Sequence, residues 1–348
     1  MPDGNAVSQA PVESSTGDYV ELKRLIKDAG LLERQPRYYT GKILSLVIMF
    51  IVSVVILIFV KPFYLQLLNA VFLAFVTTQL GLLGHDAGHR QIFHGARKND
   101  IVGLITGNLL LGISHDWWMN RHNAHHSHPN QYDLDPDVSI PIIAFAPDDL
   151  LRKGAVVQFI MKYQMYFFFP ILTLALLDMQ QNSWKYIFQQ KIKFAVIERL
   201  LISVHLIGYL GLLLCCLALW QVVVFVLVHQ IISGVYMGSI FAPNHKGMPV
   251  LDTNSSLGFL ERQVITARNV HAHPVTDFWY GGLNYQIEHH LFPSMPRNRL
   301  REAQVIIKAF CLKQGVSYYE TNAFQSYRET LSSLHEVSAP LRVARKLS

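Results

Sequence analysis

Three groups of histidines stand at spacings suited to metal chemistry. His85 and His89 are i and i+4; His122, His125 and His126 are i, i+3 and i+4; His289 and His290 are adjacent, three residues beyond Gln286. On a helix, residues three and four apart share a face with Cβ atoms about 5–6 Å apart. A pair can therefore clamp one ion, and a triple can serve two. Imidazole suits Zn, Cu, Fe and Ni. Catalytic zinc takes about three protein ligands; the seven imidazoles of these groups exceed that and point to two metals. One His-x-x-x-His among 16 histidines would be weak evidence, whereas three groups reinforce one another.

The elements that must position these groups are apolar. The chain has 348 residues, 51% hydrophobic and only 16% charged, with mean hydropathy +0.24. Soluble domains average about 25% charged residues. Residues 43–60 and 63–84 are uncharged runs broken at Lys61-Pro62, each near the roughly 20 residues that span a bilayer as a helix. They predict a transmembrane hairpin. A pI near 9.1 could suit nucleic acid, but no basic tract with interleaved aromatics accompanies it, and basic residues on a membrane protein set topology. Cys215 and Cys216 are adjacent and Cys311 stands alone, so neither a disulfide framework nor a zinc ribbon is indicated.

Residues 1–18 read as a disordered N-terminus, polar and rich in Ser, Gly and Pro, with no basic n-region or apolar h-region of a signal peptide. Residues 19–336 read as one membrane domain and 337–348 as a loose basic tail. Asp18 can cap an amphipathic helix over 19–34, with Leu22, Leu25, Ile26, Ala29 and Leu32 on one stripe; such a helix suits either a membrane interface or an ordinary packed face. The segment 85–153 holds two histidine groups and six Lys/Arg, and residues 23–42 are also basic, while the first hairpin turn carries only Lys61. The positive-inside rule puts both on the cytoplasmic face. Residues 101–114 are apolar but too short to span. Three apolar runs follow, 159–177, 200–220 and 221–243. An even number of crossings is needed to bring His289 and His290 back to the first two groups, so two of these three runs span. The loop lysines 185, 191 and 193 with Arg199 favour the last two. The fold expected is an all-α integral membrane protein with about four transmembrane helices and a cytoplasmic helical cap carrying the histidine boxes. Multi-pass insertion in a plasma or inner membrane, with both termini cytoplasmic, follows. Amphipathic helices are expected over 296–314 and 323–336.

The segments His85-Asp-Ala-Gly-His89, His122-Asn-Ala-His-His126 and Gln286-Ile-Glu-His-His-Leu-Phe-Pro293, flanked by Asp116-Trp-Trp118, Gly281-Gly-Leu-Asn-Tyr285 and Met295-Pro-Arg297, resemble the three histidine boxes of membrane fatty acid desaturases. The resemblance runs from about residue 39 to 334. It implies two Fe ions that reduce O2 and remove two hydrogens from an acyl methylene pair. Gln286 in place of a first histidine resembles the front-end and related acyl-lipid members. Many eukaryotic front-end members carry a fused cytochrome b5 domain with His-Pro-Gly-Gly, a motif this sequence lacks; the expected electron donor is therefore a separate protein of ferredoxin or cytochrome b5 type. The substrate implied is a fatty acyl group on CoA or on a membrane lipid, with no nucleic-acid partner. The family also places a histidine after the last span on the metals, which makes His245, behind Asn244, the eighth ligand beside His85, His89, His122, His125, His126, His289 and His290. Gln286 and Asn244 become weak ligands or neighbours of the ligands. Carboxylates that orient metal-bound rings are expected among Asp86, Asp116, Asp135 and Glu288. Trp117 and Trp118 are expected to wall an acyl tunnel.

Other histidines fit the metals less well. His94, His115, His128, His271 and His273 flank the boxes, where surface positions are the ordinary outcome. His205 and His229 lie within apolar runs, and His229 is 16 residues before His245, about 24 Å along a helix, too far to reach the metals. The nearest competing reading is a hydroxylase or ketolase on the same scaffold, which would yield an alcohol or ketone in place of an alkene. An intramembrane zinc protease requires His-Glu-x-x-His, but Asp86 stands at the Glu position. A metal transporter would place its ligands inside the spans.

Overall fold

The computed structural model describes residues 16–150 and 153–343. Of the disordered N-terminus expected over 1–18, residues 1–15 lie outside the described residues, and from Thr16 onward the chain is helical.

Helix α1 (Thr16–Asp28) ends before Gly30, whose φ of +69° is a left-handed conformation that glycine adopts without steric cost. The helix is therefore shorter than the 19–34 expected. Its stripe does not face a bilayer: Leu22 and Ile26 are buried in a core with Leu260, Val264 and Leu291. Helices α2 (Pro36–Phe59) and α3 (Phe63–Gly88) form the first hairpin, broken where Pro62 takes an extended conformation. Buried polar groups clasp it: Ser53 Oγ donates to Asn69 Oδ1 at 2.8 Å, and Gln66 Nε2 donates to the Val60 carbonyl at 2.6 Å.

Helix α4 (Ala96–Gly103) runs directly into a π-helix over Leu104–Leu111, closed by Gly112 at φ +70°. Helix α5 (His115–Ser127) follows. The run 159–177 does not make one continuous span: α6 (Ala155–Lys162) and α7 (Gln164–Leu172) meet at 97°, and α8 (Ala175–Gln189) takes up the remainder. Helices α9 (Ala195–Cys216) and α10 (Leu219–His245) form the second hairpin. Among the described residues, α2, α3, α9 and α10 are the four helices long and apolar enough to cross a membrane. On α2, Leu44, Val47, Ile48, Ile51 and Val55 are exposed, and on α9 Val196, Leu200, Val204 and Ile207. Rows of bare apolar side chains on these helices suit lipid and not water.

Helices α3 and α10 pack together at the centre of the bundle. Thr77 meets His229 at 3.3 Å and Gln79 meets Tyr236 at 2.8 Å; both partners advance along the chain together, so the two helices run parallel and end on the same side. That brings the histidines at their C-terminal ends to one face. Short helices close over this face: α11 (Phe259–Ile265), α12 (Pro274–Trp279), α13 (Gln286–Leu291), α14 (Leu300–Lys313), α15 (Ala323–Val337) and α16 (Ala339–Val343). A parallel pair of two-residue strands, β1 (Asn269–Val270) and β2 (Glu320–Thr321), ties the segment before α13 to the end of the cap. The loose tail expected over 337–348 is helical as far as Val343, because Val337 and Leu341 pack against Val157 of α6 and the core behind it; 344–348 lie outside the described residues.

Candidate metal centre

Box one sits at the last turn of α3, where His85 and His89 project from one face. Gly88 between them admits the next element: a Cβ there would lie 2.4 Å from the Trp118 ring and 2.9 Å from Met119 Sδ. Box two rides on α5, whose N-terminus is capped by Ser114, the hydroxyl oxygen accepting from Trp117 N at 3.1 Å. The Trp118 ring stacks on His122 at 4.4 Å. Box three is α13, entered through Gly281 and Gly282, both at positive φ. A Cβ on Gly281 would lie 2.7 Å from Leu82 and 2.8 Å from Arg297 Nη1. His245 is the last residue of α10.

All eight histidines come together, in two groups. His85, His89, His122, His126 and His289 each bring a nitrogen within 4.8 Å of the others, as do His125, His245 and His290. In the first group, Nε2 of His122 lies 2.7 Å from Nε2 of His89 and 3.1 Å from Nε2 of His126, which lies 3.1 Å from Nε2 of His289. In the second, Nε2 of His245 lies 3.1 Å from Nε2 of His290 and 2.9 Å from the side-chain amide of Gln286. Metal–imidazole bonds of about 2.1 Å at right angles put neighbouring nitrogens about 3 Å apart, so the spacing fits. The rings of His126 and His290 stack at 4.2 Å and join the two groups.

Hydrogen bonds on the far side of the second group fix which nitrogen faces inward. His125 Nδ1 meets Asp135 Oδ2 at 2.9 Å, His245 Nδ1 meets the Thr266 carbonyl at 3.0 Å, and His290 Nδ1 meets Gln263 Oε1 at 2.9 Å. Each outer partner accepts an N–H, so the tautomer assigned by this network leaves three Nε2 lone pairs on the inner side, of which that of His245 also faces the Gln286 amide N–H. Converging lone pairs repel unless a cation lies between them. In the first group both ring nitrogens of His85 are buried with no hydrogen-bond partner. Such orphaned groups are costly and suit a bound metal. Burial first, and then the neighbouring histidines, hold His122, His126, His289 and His290 well below the ordinary imidazole range. They are neutral, the form that binds a metal. Burial also lowers His125, but Asp135 outweighs it and the net direction is up; the same pairing holds Asp135 down against its own burial.

The carboxylates divide differently from their motif positions. Asp135 is the one that orients a ring. Asp86 lies 3.5 Å from His85 Nδ1, but its short hydrogen bond is to Arg297, which also reaches the Leu82 carbonyl. Asp116 touches no imidazole; its backbone amide donates to Glu198 at 3.1 Å. Glu288 turns away from the site because Asn269 and Tyr318 hold it on the opposite face of α13. Burial raises Glu288 to about 7. Asn244 donates to Gln286 Oε1 at 2.8 Å and to the Leu283 carbonyl at 3.0 Å, which steers the Gln286 amide toward His245. Gln263, Thr266 and Asn269 carried no motif that could have marked them. His205 and His229 stay away from the site, bonded to the Leu109 carbonyl and to Thr77 and Tyr209. His94, His271 and His273 are exposed, and His128 bonds Gln131.

An apolar cavity, partly open, reaches His85. Trp118 lines it together with Thr106, Leu111, Met237 and Ile240. Trp117 is absent from its wall. Successive helical residues point about 100° apart; both tryptophans are half-buried against the cluster of Tyr39 and Val76.

An all-helical membrane bundle that gathers eight imidazoles on one face, with His85 lining an apolar cavity, is the architecture of a membrane protein with a candidate metal centre. The chain belongs to the fatty acid desaturase family, whose description matches residues 62–322. It is 32% identical over 346 residues to the Acyl-lipid (9-3)-desaturase of Physcomitrium patens, covering 96% of this chain and 65% of that protein. It is 30% identical to the Delta(6)-fatty-acid desaturase of Caenorhabditis elegans, covering 95% of this chain and 77% of that protein. The Delta(8)-fatty-acid desaturase of Euglena gracilis is 28% identical over 89% of this chain and 76% of its own length.

Proposed function

We propose that this chain is an oxidoreductase that inserts a double bond into a fatty acyl chain, carried on CoA or on a membrane lipid. A methylene pair, O2, two electrons and two protons become an alkene and two waters. The observation that carries the reading is the convergence of eight imidazoles into a group of five and a group of three, with His85 of the first group lining an apolar cavity. His85, His89, His122, His126 and His289 would hold one iron, and His125, His245 and His290 the other, with Gln286 beside the second. When bound, the iron pair supplies the reduction of O2 and the oxidising power to remove two hydrogens.

The chain's own residues do the rest. Asp135, the Thr266 carbonyl and Gln263 hold three Nδ1–H groups and aim the opposite nitrogens. A neutral imidazole shell resists the oxidation that thiolate ligands would suffer. Trp118 stacks on His122 and forms the apolar cavity wall beside His85, where the acyl chain would lie. Electrons would come from a ferredoxin- or cytochrome b5-type donor. The histidine face is cytoplasmic, in keeping with the basic residues on that side of the hairpins.

The test is expression with iron and an electron donor supplied, feeding of acyl substrates, and location of new double bonds by mass spectrometry. A new alkene in fed chains supports the reading. No new double bond, or an alcohol instead, overturns it.

A further inference from the structure

Helix α9 is bare along most of its surface, yet one face is polar at its first turn and again further on. Glu198, Ile202, His205 and Tyr209 follow one another at i, i+4, i+7 and i+11, a single helical stripe. Glu198 and Ile202 are fully buried. The Glu198 carboxylate accepts from three groups on two other elements: Asn108 Nδ2 at 3.0 Å, the Ser114 hydroxyl, and the Asp116 amide at 3.1 Å. Two turns along, His205 Nδ1 donates to the Leu109 carbonyl at 3.0 Å. A buried carboxylate without full hydrogen bonding is expensive, and here no cation offsets it among the described ion pairs. Its three donors are what make it tolerable.

Those donors sit at the junction between the π-helix and α5. Asn108 belongs to the π-helix, and its Oδ1 accepts from His115 N at 3.1 Å. Ser114 caps α5. The π-helix contributes Thr106, Gly107 and Leu111 to the cavity wall, and α5 contributes His115 and Trp118. The same α5 carries His122, His125 and His126, three of the eight converging imidazoles. One carboxylate therefore fixes the cavity wall and the histidine helix relative to each other. Helical segments with π geometry gather at functional sites, and this one is held at its exit by Glu198 and His205.

We propose that Glu198 is a positioning residue that sets where along the acyl chain the double bond is placed. This rests on the desaturase reading above. Successive methylenes of an extended chain are about 1.3 Å apart, given a C–C bond of about 1.5 Å. A shift of α5 against the cavity wall by that amount presents the next methylene pair to the reacting end. Misplacement of about 1 Å can cost up to about 100-fold in rate, so holding the junction rigid confers positional selectivity. Glu198 contacts none of the eight histidines and acts only through Asn108, Ser114 and Asp116.

The experiment compares wild type with Glu198→Ala, Glu198→Gln and Ile202→Ala, expressed in membranes and fed one acyl substrate. Iron per chain, product yield and double-bond position are measured for each. Glu198→Ala should retain iron and produce a second positional isomer, with positional selectivity reduced about tenfold. Glu198→Gln keeps the length and an acceptor oxygen and should restore most of the selectivity. Ile202→Ala, a cavity in the same helix face, should lower yield while leaving the positions as in wild type. An unchanged positional distribution in Glu198→Ala, at any yield, overturns the proposal, as does an equal shift in Ile202→Ala. Should Glu198→Ala give no product, Ser114→Ala removes one donor alone, and unchanged positions there overturn it equally. A wild-type chain that forms no double bond refutes the desaturase reading itself, a result separate from these.

Discussion

Nδ1 of His125 lies 2.9 Å from Oδ2 of Asp135, a carboxylate with no exposed surface that also accepts the Asn130 amide at 2.8 Å and the Asp137 amide through Oδ1. Asp135 is thus locked by the loop after α5 before it meets the ring. Partners of this kind govern metal affinity by roughly 10–100-fold. Asp135→Asn should weaken binding at the three-histidine group by that amount, measured as iron retained per chain after dialysis against a graded chelator. Iron retention equal to wild type would refute the role.

The two groups share α5 but divide its histidines between them. His125→Ala should abolish turnover and leave about one iron per chain, with membrane insertion intact by protease protection. His126→Ala should remove the other iron preferentially and loosen the His126–His290 stack. Iron analysis of the two purified variants distinguishes them, and activity surviving in His125→Ala would remove box two from the centre.

Gly88 is required by contact, not by backbone conformation. A methyl group there meets the Trp118 ring at 2.4 Å, and overpacking of that kind costs about 1–3 kcal/mol. Gly88→Ala should lower the melting temperature and depress activity through Trp118 and His122. Adding Trp118→Ala should recover stability while leaving activity low, because the cavity wall is then lost.

The cavity should report on substrate length. Met237 faces it from α10, and Met237→Trp fills space that an acyl chain would occupy. The variant should turn over shorter acyl chains in preference to those favoured by wild type, read by feeding a chain-length series. An unaltered length profile would exclude this cavity as the chain's resting place.

Arg268, fully buried, ties the end of α10 to α15: it donates to the Pro243 and Lys246 carbonyls and pairs with Glu329 at 2.5 Å. Burial pushes Glu329 up, but Tyr319, Gln325 and Arg268 pull it further down, and the net direction is below its ordinary 4.5. A depressed carboxylate contributes stability that is present above the unfolded value and lost as pH falls through the folded one. The cap should therefore loosen below about pH 4.5. Glu329→Gln should melt lower than wild type near neutrality and show a flatter decline into acid, followed by thermal unfolding across pH in detergent.

Much of this protein is written in local patterns. The spacing of His85 with His89, and of His122 with His125 and His126, fixes shared helix faces whatever the fold, because 3.6 residues per turn is a property of the backbone. The apolar runs at 43–60 and 63–84 dictate a hairpin for the same reason: uncharged helices of that length have no better solvent than lipid. Glu198, Gln263, Thr266 and Asp135 illustrate the rest. Each acts on a residue from another element, and no spacing encodes which carboxylate, amide or carbonyl will lie behind a given ring. Trp117 and Trp118 are neighbours of the same type, both half-buried against one apolar cluster, yet only the placement of α5 beside α3 gives Trp118 and not Trp117 to the cavity wall. The division of eight histidines into five and three is likewise decided by the parallel run of α3 and α10, which brings His85 and His245 to one face from 160 residues apart. Composition and period determine which groups are available and which surface each occupies. The tertiary structure alone decides which lone pairs converge, because that depends on distances between segments that the chain's order leaves free.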